Sequence, residues 1–234
     1  MKNFYIILFI FIFYIQTVSA AMNSIEQELT NCLKDKYKSS DIIACSKNAT
    51  EQLETELTRI FINPKISNNQ TLWNNYKSST QNSIIKILNK ELGSIYQEFS
   101  ASINYNLNKN RLLILEYLNQ KYNYKQEKYI SENLSNCLKL SDTDTLKTKC
   151  YIQEKNQYNK QQINLLQQLD NTMPSNQFNI IKQNQEEWLK YKNNTLYLIN
   201  HSATLSDLQK AQITKLIYEE RNSQLQAIKQ IFIN

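Results

Sequence analysis

The sequence is poor in the residues that make tight turns. Its 234 residues include one glycine and two prolines. Hairpins and small sheets depend on turns that need positive φ or a fixed φ, and glycine and proline are the usual suppliers. Their scarcity argues against a β-rich domain. It predicts an all-α fold, with long helices joined by Asn, Ser and Asp turns.

Catalytic motifs are equally scarce. His201 is the single histidine, so a Ser/His/Asp triad would have to be built around this one residue. We interpret it as an ordinary loop residue. There is no G-x-S-x-G motif, no glycine-rich phosphate loop and no H-E-x-x-H motif. Glu186 and Glu187 diverge by about 100° on a helix, which favours a solvated face over an acid pair. We predict no catalytic residue, no metal site, no cofactor and no enzymatic activity.

The positive charge is spread along the chain. Lys and Arg exceed Asp and Glu by 27 to 21, and the formal net charge is +6. No basic run of the kind that follows a phosphate backbone occurs. We therefore predict that the protein has no nucleic-acid partner.

The N-terminus has the pattern of a secretory signal peptide over residues 1–20. Lys2 precedes an apolar stretch of residues 4–15, and Val18-Ser19-Ala20 supplies small side chains before a cleavage site at Ala21. The stretch is short for a membrane span, which needs roughly 20 apolar residues. No later stretch could span a membrane. We expect a protein exported to the periplasm or beyond.

Apolar residues at spacings of three and four predict two sets of four helices. The first set covers about 24–36, 41–62, 70–92 and 94–118, and the second about 125–140, 143–170, 176–200 and 207–231. Capping boxes are expected at Ser24 and Ser206. Breaks are expected at Pro64 and Pro174, and a C-terminal cap at Gly93.

A group of motifs occurs twice in the same order. Ile-x3-Leu-x-Asn-Cys-Leu-Lys begins at Ile25 and again at Ile130, and the next cysteine keeps the same offset of 105 residues. Gln-x2-Trp-x2-Tyr-Lys and Arg-x3-Leu then recur. The motif residues are Gln70, Trp73, Tyr76, Lys77 and Arg111 in the first copy and Gln185, Trp188, Tyr191, Lys192 and Arg221 in the second. This order indicates a duplication, with helical-bundle repeats of about four helices each over residues 21–122 and 123–234.

Four cysteines in an exported chain predict two disulfides. Three pairings are possible, and the duplication favours one local bridge per repeat, Cys32–Cys45 and Cys137–Cys150. Closing a loop of this size contributes about 3 kcal/mol in the chain-entropy model. A separation of thirteen residues does not fit a C-x-x-C redox pair. A metal site would have only one histidine to draw on.

The tryptophan motifs admit two interpretations. Gln, Trp and Tyr follow one another at offsets of three, so they lie near one helix face. Trp73 and Trp188 are expected to anchor the core of each repeat. The alternative is an aromatic binding ridge for a sugar or a partner protein.

The chain resembles the LprI-like family, a bacterial family of lysozyme-inhibitor domains. An N-terminal cysteine pair, Gln-x2-Trp-x2-Tyr-Lys and a later Arg-x3-Leu carry the resemblance, once in each repeat. It implies all-α, disulfide-bonded domains of the cell envelope that bind and block lysozyme. Family units often carry a second cysteine pair, and the corresponding positions here are Thr80 and Ile103, then Thr195 and Ile213.

The resemblance predicts a non-enzymatic protein that occupies the lysozyme cleft with an exposed loop. The segments 63–69 and 171–176 are the expected loops. The alternative is a helical interaction module of the envelope with an unrelated protein partner. The residues do not indicate the binding surface or the oligomeric state.

Overall fold

The helical prediction is confirmed in a computed structural model, which describes residues 20–60, 67–88, 93–119 and 131–233. These residues form eight α-helices and no β-strand. The helices are α1 (Ala20–Leu33), α2 (Ser39–Ile60), α3 (Ser67–Leu88), α4 (Gly93–Leu118), α5 (Glu132–Lys139), α6 (Asp144–Thr172), α7 (Ser175–Asn200) and α8 (Asp207–Ile233). Residues 1–19 of the expected signal peptide, Pro64 and the expected repeat boundary at 122–123 lie outside the described residues.

The predicted disulfides are both present. Cys32 bonds Cys45, and Cys137 bonds Cys150, with Cα–Cα distances of 5.7 and 5.8 Å. The first bridge joins α1 to α2 and the second joins α5 to α6, so each half of the chain is closed by its own bridge. Disulfides form and persist in oxidising compartments, so the two bridges indicate that the protein resides in one.

Two helix boundaries form as their residues predict. The Ser206 hydroxyl accepts from the Gln209 amide at 3.2 Å, and the Gln209 side chain accepts from the Ser206 amide at 2.9 Å. This reciprocal pair is the capping box at the start of α8. Pro174 separates the two helices on either side of it: α6 ends at Thr172, and α7 begins at Ser175.

A third boundary prediction, the start of α1 at Ser24, is wrong. Helix α1 begins at Ala20 instead of Ser24, and the Ser24 hydroxyl contacts the Glu28 carboxylate at 3.4 Å. Ala20, Ala21 and Met22 are strong helix formers, and Met22 is buried in the core, so the helix extends through the serine. Gly93 is the first residue of α4, and α3 extends to Leu88. The expected cap at Gly93 depends on residues 89–92, which lie outside the described residues.

The two halves share one core. Within each half the second helix packs on the fourth, α2 on α4 and α6 on α8. The third helices behave differently, because α3 packs mainly on α7 of the other half, and α4 also contacts α8. The main hydrophobic cluster accordingly contains residues from both halves, and a smaller cluster lies around Leu134 and Tyr151.

Candidate functional site

The tryptophan helices α3 and α7 meet at the centre of the molecule. Tyr76 and Tyr191, the same motif position in the two repeats, stack with ring centroids 5.5 Å apart and planes 12° apart. Both rings are buried. The duplicated motif therefore lies in the contact between the halves.

Two equivalent hydrogen bonds, one from each half, cross the interface between α3 and α7. The Asn69 amide donates to the Thr195 hydroxyl at 2.9 Å, and the Asn184 amide donates to the Thr80 hydroxyl at 3.0 Å. Asn69 and Asn184 occupy one repeat position, and Thr80 and Thr195 occupy another. Residue i of one half thus contacts residue j of the other, and j contacts i, as in the isologous interface of a twofold dimer.

Each repeat arginine holds its own half of this interface. Arg111 Nη1 donates to Asn69 Oδ1 at 2.6 Å, and its Nε and Nη2 donate to Gln70 Oε1 at 3.1 and 2.8 Å. Arg221 repeats the pattern, with Nη1 to Asn184 Oδ1 at 2.6 Å and Nε to Gln185 Oε1 at 2.9 Å. These bonds fix the asparagines so that their amides face the other half.

Both guanidinium groups are fully shielded from water. Burial lowers the pKa of Arg111, opposed chiefly by Tyr191, and burial lowers the pKa of Arg221, opposed chiefly by Tyr76. Arginine remains protonated under such conditions. Burial also raises the pKa of the Tyr191 phenol to about 12, so it stays neutral. The interface is a charged network whose arginines and asparagines are buried, so the loss of one of these partners is strongly destabilising.

Glu220 breaks the symmetry. The Tyr76 hydroxyl donates to Gln224 at 2.7 Å and lies 3.4 Å from the Glu220 carboxylate. The corresponding residues of α4 are Asn110 and Ile114. Burial raises the pKa of Glu220 to about 8, against the opposing influence of hydrogen bonds from Asn110 and Tyr76 and the charge of Arg221. The second half therefore carries an acid that is largely protonated at neutral pH.

Glu220 also borders a cavity of about 400 Å³ between α4, α6 and α8, which we call the amide cavity. Its wall consists of Ile103, Asn106, Asn110, Ser131, Asn133, Glu154, Gln157, Tyr158, Gln161, Glu219, Glu220, Asn222, Ser223, Gln224, Gln226 and Gln230. A second depression of about 490 Å³ lies between α2 and α4 and includes Lys47, Glu51 and Glu54.

The tryptophans lie in the core. Trp73 is 4% exposed and Trp188 is 1% exposed, so neither indole face is accessible to a sugar. The ammonium of Lys77 lies 5.2 Å from the Trp73 ring centroid, and that of Lys192 lies 4.9 Å from the Trp188 ring. The motif lysines cover the edges of the core in both halves.

The two segments expected as lysozyme-contacting loops are mostly helical where the structure describes them. Of the segment 63–69, residues 63–66 lie outside the described residues, and the remainder is the first turn of α3, where Asn69 is buried. The segment 171–176 is helical except at Met173 and Pro174, and Met173 is buried. Asn69 of the first segment and Met173 of the second are therefore part of the packed interior.

The remaining sequence candidates are at the surface. His201 caps the end of α7, where its Nδ1 lies 2.9 Å from the Tyr197 carbonyl oxygen. Glu187 forms an ion pair with Lys190 at 2.6 Å and Glu186 is exposed, so the two acids do not face each other across a site. Over the described ranges, no group of three or more His, Cys, Asp and Glu side chains could hold a metal ion. None of the helices in these ranges is long and apolar enough to cross a membrane.

The sequence reasoning missed the residues that couple the halves. Asn69 and Asn184 immediately precede the glutamine of each motif, and both threonines recur at the same offset of 115 residues. That shared offset was a readable signal of a common role. Glu154, Glu219 and Glu220 gave no such signal, because their meeting depends on how α6 packs on α8.

The fold and the interface define an all-helical protein of two disulfide-closed halves joined around a buried polar contact. No protein-family model matches the chain, and no curated protein matches it. A solved structure of an uncharacterized protein from Burkholderia thailandensis is similar, with a TM-score of 0.52 and 12% sequence identity over 92% of this chain and 98% of that one. At this identity the likeness concerns the fold alone.

Proposed function

We propose that this chain is an exported, non-enzymatic binding protein that inhibits lysozyme. The observation that carries the proposal is the doubled set of cysteine, tryptophan and arginine motifs, which resembles LprI-like domains. Those residues form disulfides, core and interface, and the chain is consistent with a rigid binding scaffold. Two disulfides suit the periplasm or the extracellular space, where a signal peptide over residues 1–20 would deliver the protein.

The connections beside the disulfides are the elements best suited to contact a partner. Tyr37, between α1 and α2, is 79% exposed, and Leu140, between α5 and α6, is 86% exposed. Each side chain lies on a short connection held by a neighbouring bridge, so binding would sacrifice little conformational freedom. Tyr37 and Leu140 take the place of the two loops proposed from sequence.

Lysis assays test this function. The purified, oxidised chain at micromolar concentration should slow lysozyme-driven lysis of a peptidoglycan substrate. Tyr37→Ala should weaken the inhibition at least tenfold, because it truncates a projecting aromatic anchor. Tyr197→Ala, at another exposed tyrosine in α7, is the matched control and should inhibit normally. Unchanged lysis rates with several lysozyme classes would reject the proposal.

The same two exposed side chains favour a second candidate, a scaffold for a bacterial protein of the envelope. Two similar contacts on one rigid body act together through effective concentration, even when each is weak. A pulldown from envelope extract that recovers a specific bacterial protein, together with no capture of added lysozyme, would favour the scaffold. Capture of lysozyme alone would reject it.

A further inference from the structure

The amide cavity has an unusual wall for a chain of net charge +6. Its sixteen residues include three glutamates, one tyrosine and nine asparagines or glutamines, and no lysine, arginine or histidine. Only Ile103 is apolar. The wall exposes apolar stems as well as polar groups, and its ionisable side chains are acids and one phenol, so it favours a ligand that combines an apolar stem with a positive charge.

The three glutamates are held inside the protein. Glu154, Glu219 and Glu220 are 4%, 4% and 6% exposed. The Tyr158 hydroxyl donates to Glu219 at 3.0 Å, and Lys215 Nζ lies 2.9 Å from the other oxygen of that carboxylate. Burial, and then the charges of Glu219 and Glu154, raise the pKa of Tyr158, so its phenol remains a neutral donor. Glu219 is thus already paired with Lys215, and Glu220 is largely protonated at neutral pH. Glu154 is therefore the carboxylate of this wall that gains most from an added cation, because water no longer solvates it fully.

Two wall amides leave their acceptors unused. Asn222 donates through Nδ2 to Gln161 at 2.9 Å, and Asn110 donates to Glu220. The Oδ1 atoms of both asparagines are buried, and neither has a hydrogen-bond partner among the described groups. Buried polar atoms are nearly always paired in folded proteins. The unpaired asparagine oxygens on this wall are hydrogen-bond acceptors, so a ligand that pairs them must supply hydrogen-bond donors.

We propose that the amide cavity binds a small organic cation through an ammonium or guanidinium group. These groups combine positive charge with several N–H donors and accept no hydrogen bonds, which matches carboxylates and amide oxygens. The cation can be a free amine or the side chain of a lysine or arginine on a bound protein. The inference is independent of the lysozyme proposal, since either could hold without the other.

Calorimetric titration of the oxidised full chain tests the chemistry. Putrescine should bind with saturation at one site, and 1,4-butanediol, which replaces both ammonium groups with hydroxyls, should bind at least tenfold more weakly. Equal binding of the diol would show that the cavity recognises hydroxyl groups and would overturn the proposal.

A second pair of ligands distinguishes the two sources. Agmatine is a free guanidinium compound, and Gly-Arg-Gly presents the same group on a peptide, with Gly-citrulline-Gly as its neutral control. Tighter agmatine binding identifies a small free cation, and tighter Gly-Arg-Gly binding identifies a protein side chain. No saturable binding of putrescine, agmatine or Gly-Arg-Gly would overturn the proposal.

Variants locate the site. Gln157 is an exposed wall residue of α6, and Gln157→Lys should place a cation at the cavity and reduce affinity at least tenfold without disturbing the core. Asn159→Lys makes the same charge change at an exposed position of α6 off the wall, and it should bind normally. Glu154→Gln should weaken binding about tenfold by removing one carboxylate. Equal losses in the two lysine variants would show nonspecific charge attraction and refute the assignment.

Discussion

Replacing Asn184 with alanine removes one arm of the buried contact between the halves. The Asn184 side chain accepts from Arg221 at 2.6 Å and donates to the Thr80 hydroxyl at 3.0 Å. The first bond belongs to a buried guanidinium, and the second crosses from one half to the other. The substitution therefore weakens the internal support of the second half and its attachment to the first half.

The magnitude follows from these two bonds. A hydrogen bond to a charged group contributes about 1.5–3 kcal/mol, and a neutral one about 1 kcal/mol. Arg221 keeps its bond to Gln185, so the guanidinium does not lose all support. We expect Asn184→Ala to lower the free energy of unfolding by about 3 kcal/mol, which corresponds to a fall in Tm of roughly 10 °C for a chain of this size.

Urea unfolding followed by far-UV circular dichroism measures the change. Asn69→Ala should cost a similar amount, because Asn69 makes the equivalent bonds to Arg111 and Thr195. Asn75→Ala, at an exposed position of α3, is the control and should change stability by less than about 0.5 kcal/mol. Losses below about 1 kcal/mol for both buried asparagines would refute the reasoning.

Three further predictions concern other parts of the fold. Replacing Cys137 and Cys150 together by serine should lower the free energy of unfolding by about 3 kcal/mol, and an unchanged urea midpoint would contradict it. Glu220 has a pKa of about 8 in the folded state against an ordinary 4.5, so the folded state retains a proton that the unfolded state releases. Stability should therefore fall as pH rises from about 5 to 8, by at most about 5 kcal/mol relative to Glu220→Gln, and parallel pH profiles for the two proteins would exclude this. Ser206→Ala should remove one side of the capping box and cost about 1 kcal/mol in thermal unfolding, whereas Ser202→Ala in the preceding connection should be neutral.

The helices were predictable because their signals are local. Apolar spacing, the Pro174 break and the Ser206 capping box each act within a few residues, and the structure follows them. The disulfide pairing was predictable because the duplication reduced three possibilities to one. The predicted helix start at Ser24 was wrong because a capping sequence does not begin a helix when helix-forming residues precede it. Here Ala20, Ala21 and the buried Met22 extend the helix past the serine.

The contact between the halves was not predictable from one repeat alone. Each motif places Gln, Trp and Tyr on one helix face, which is compatible with packing inside its own half. Only the packing of α3 on α7 shows that Tyr76 and Tyr191 meet each other. The amide cavity could not be predicted from the sequence, because Asn110, Glu154 and Glu220 come from three different helices and share no sequence pattern.

One measurement tests most directly whether the repeated motif joins the halves into one cooperative body. Each half contains one of the two tryptophans, so Trp188→Phe leaves Trp73 to report on the first half, and Trp73→Phe leaves Trp188 to report on the second. In urea unfolding, the fluorescence and circular dichroism midpoints should coincide within each variant. A fluorescence transition separated from the circular dichroism transition in either variant would show that the halves unfold independently, which would contradict this account.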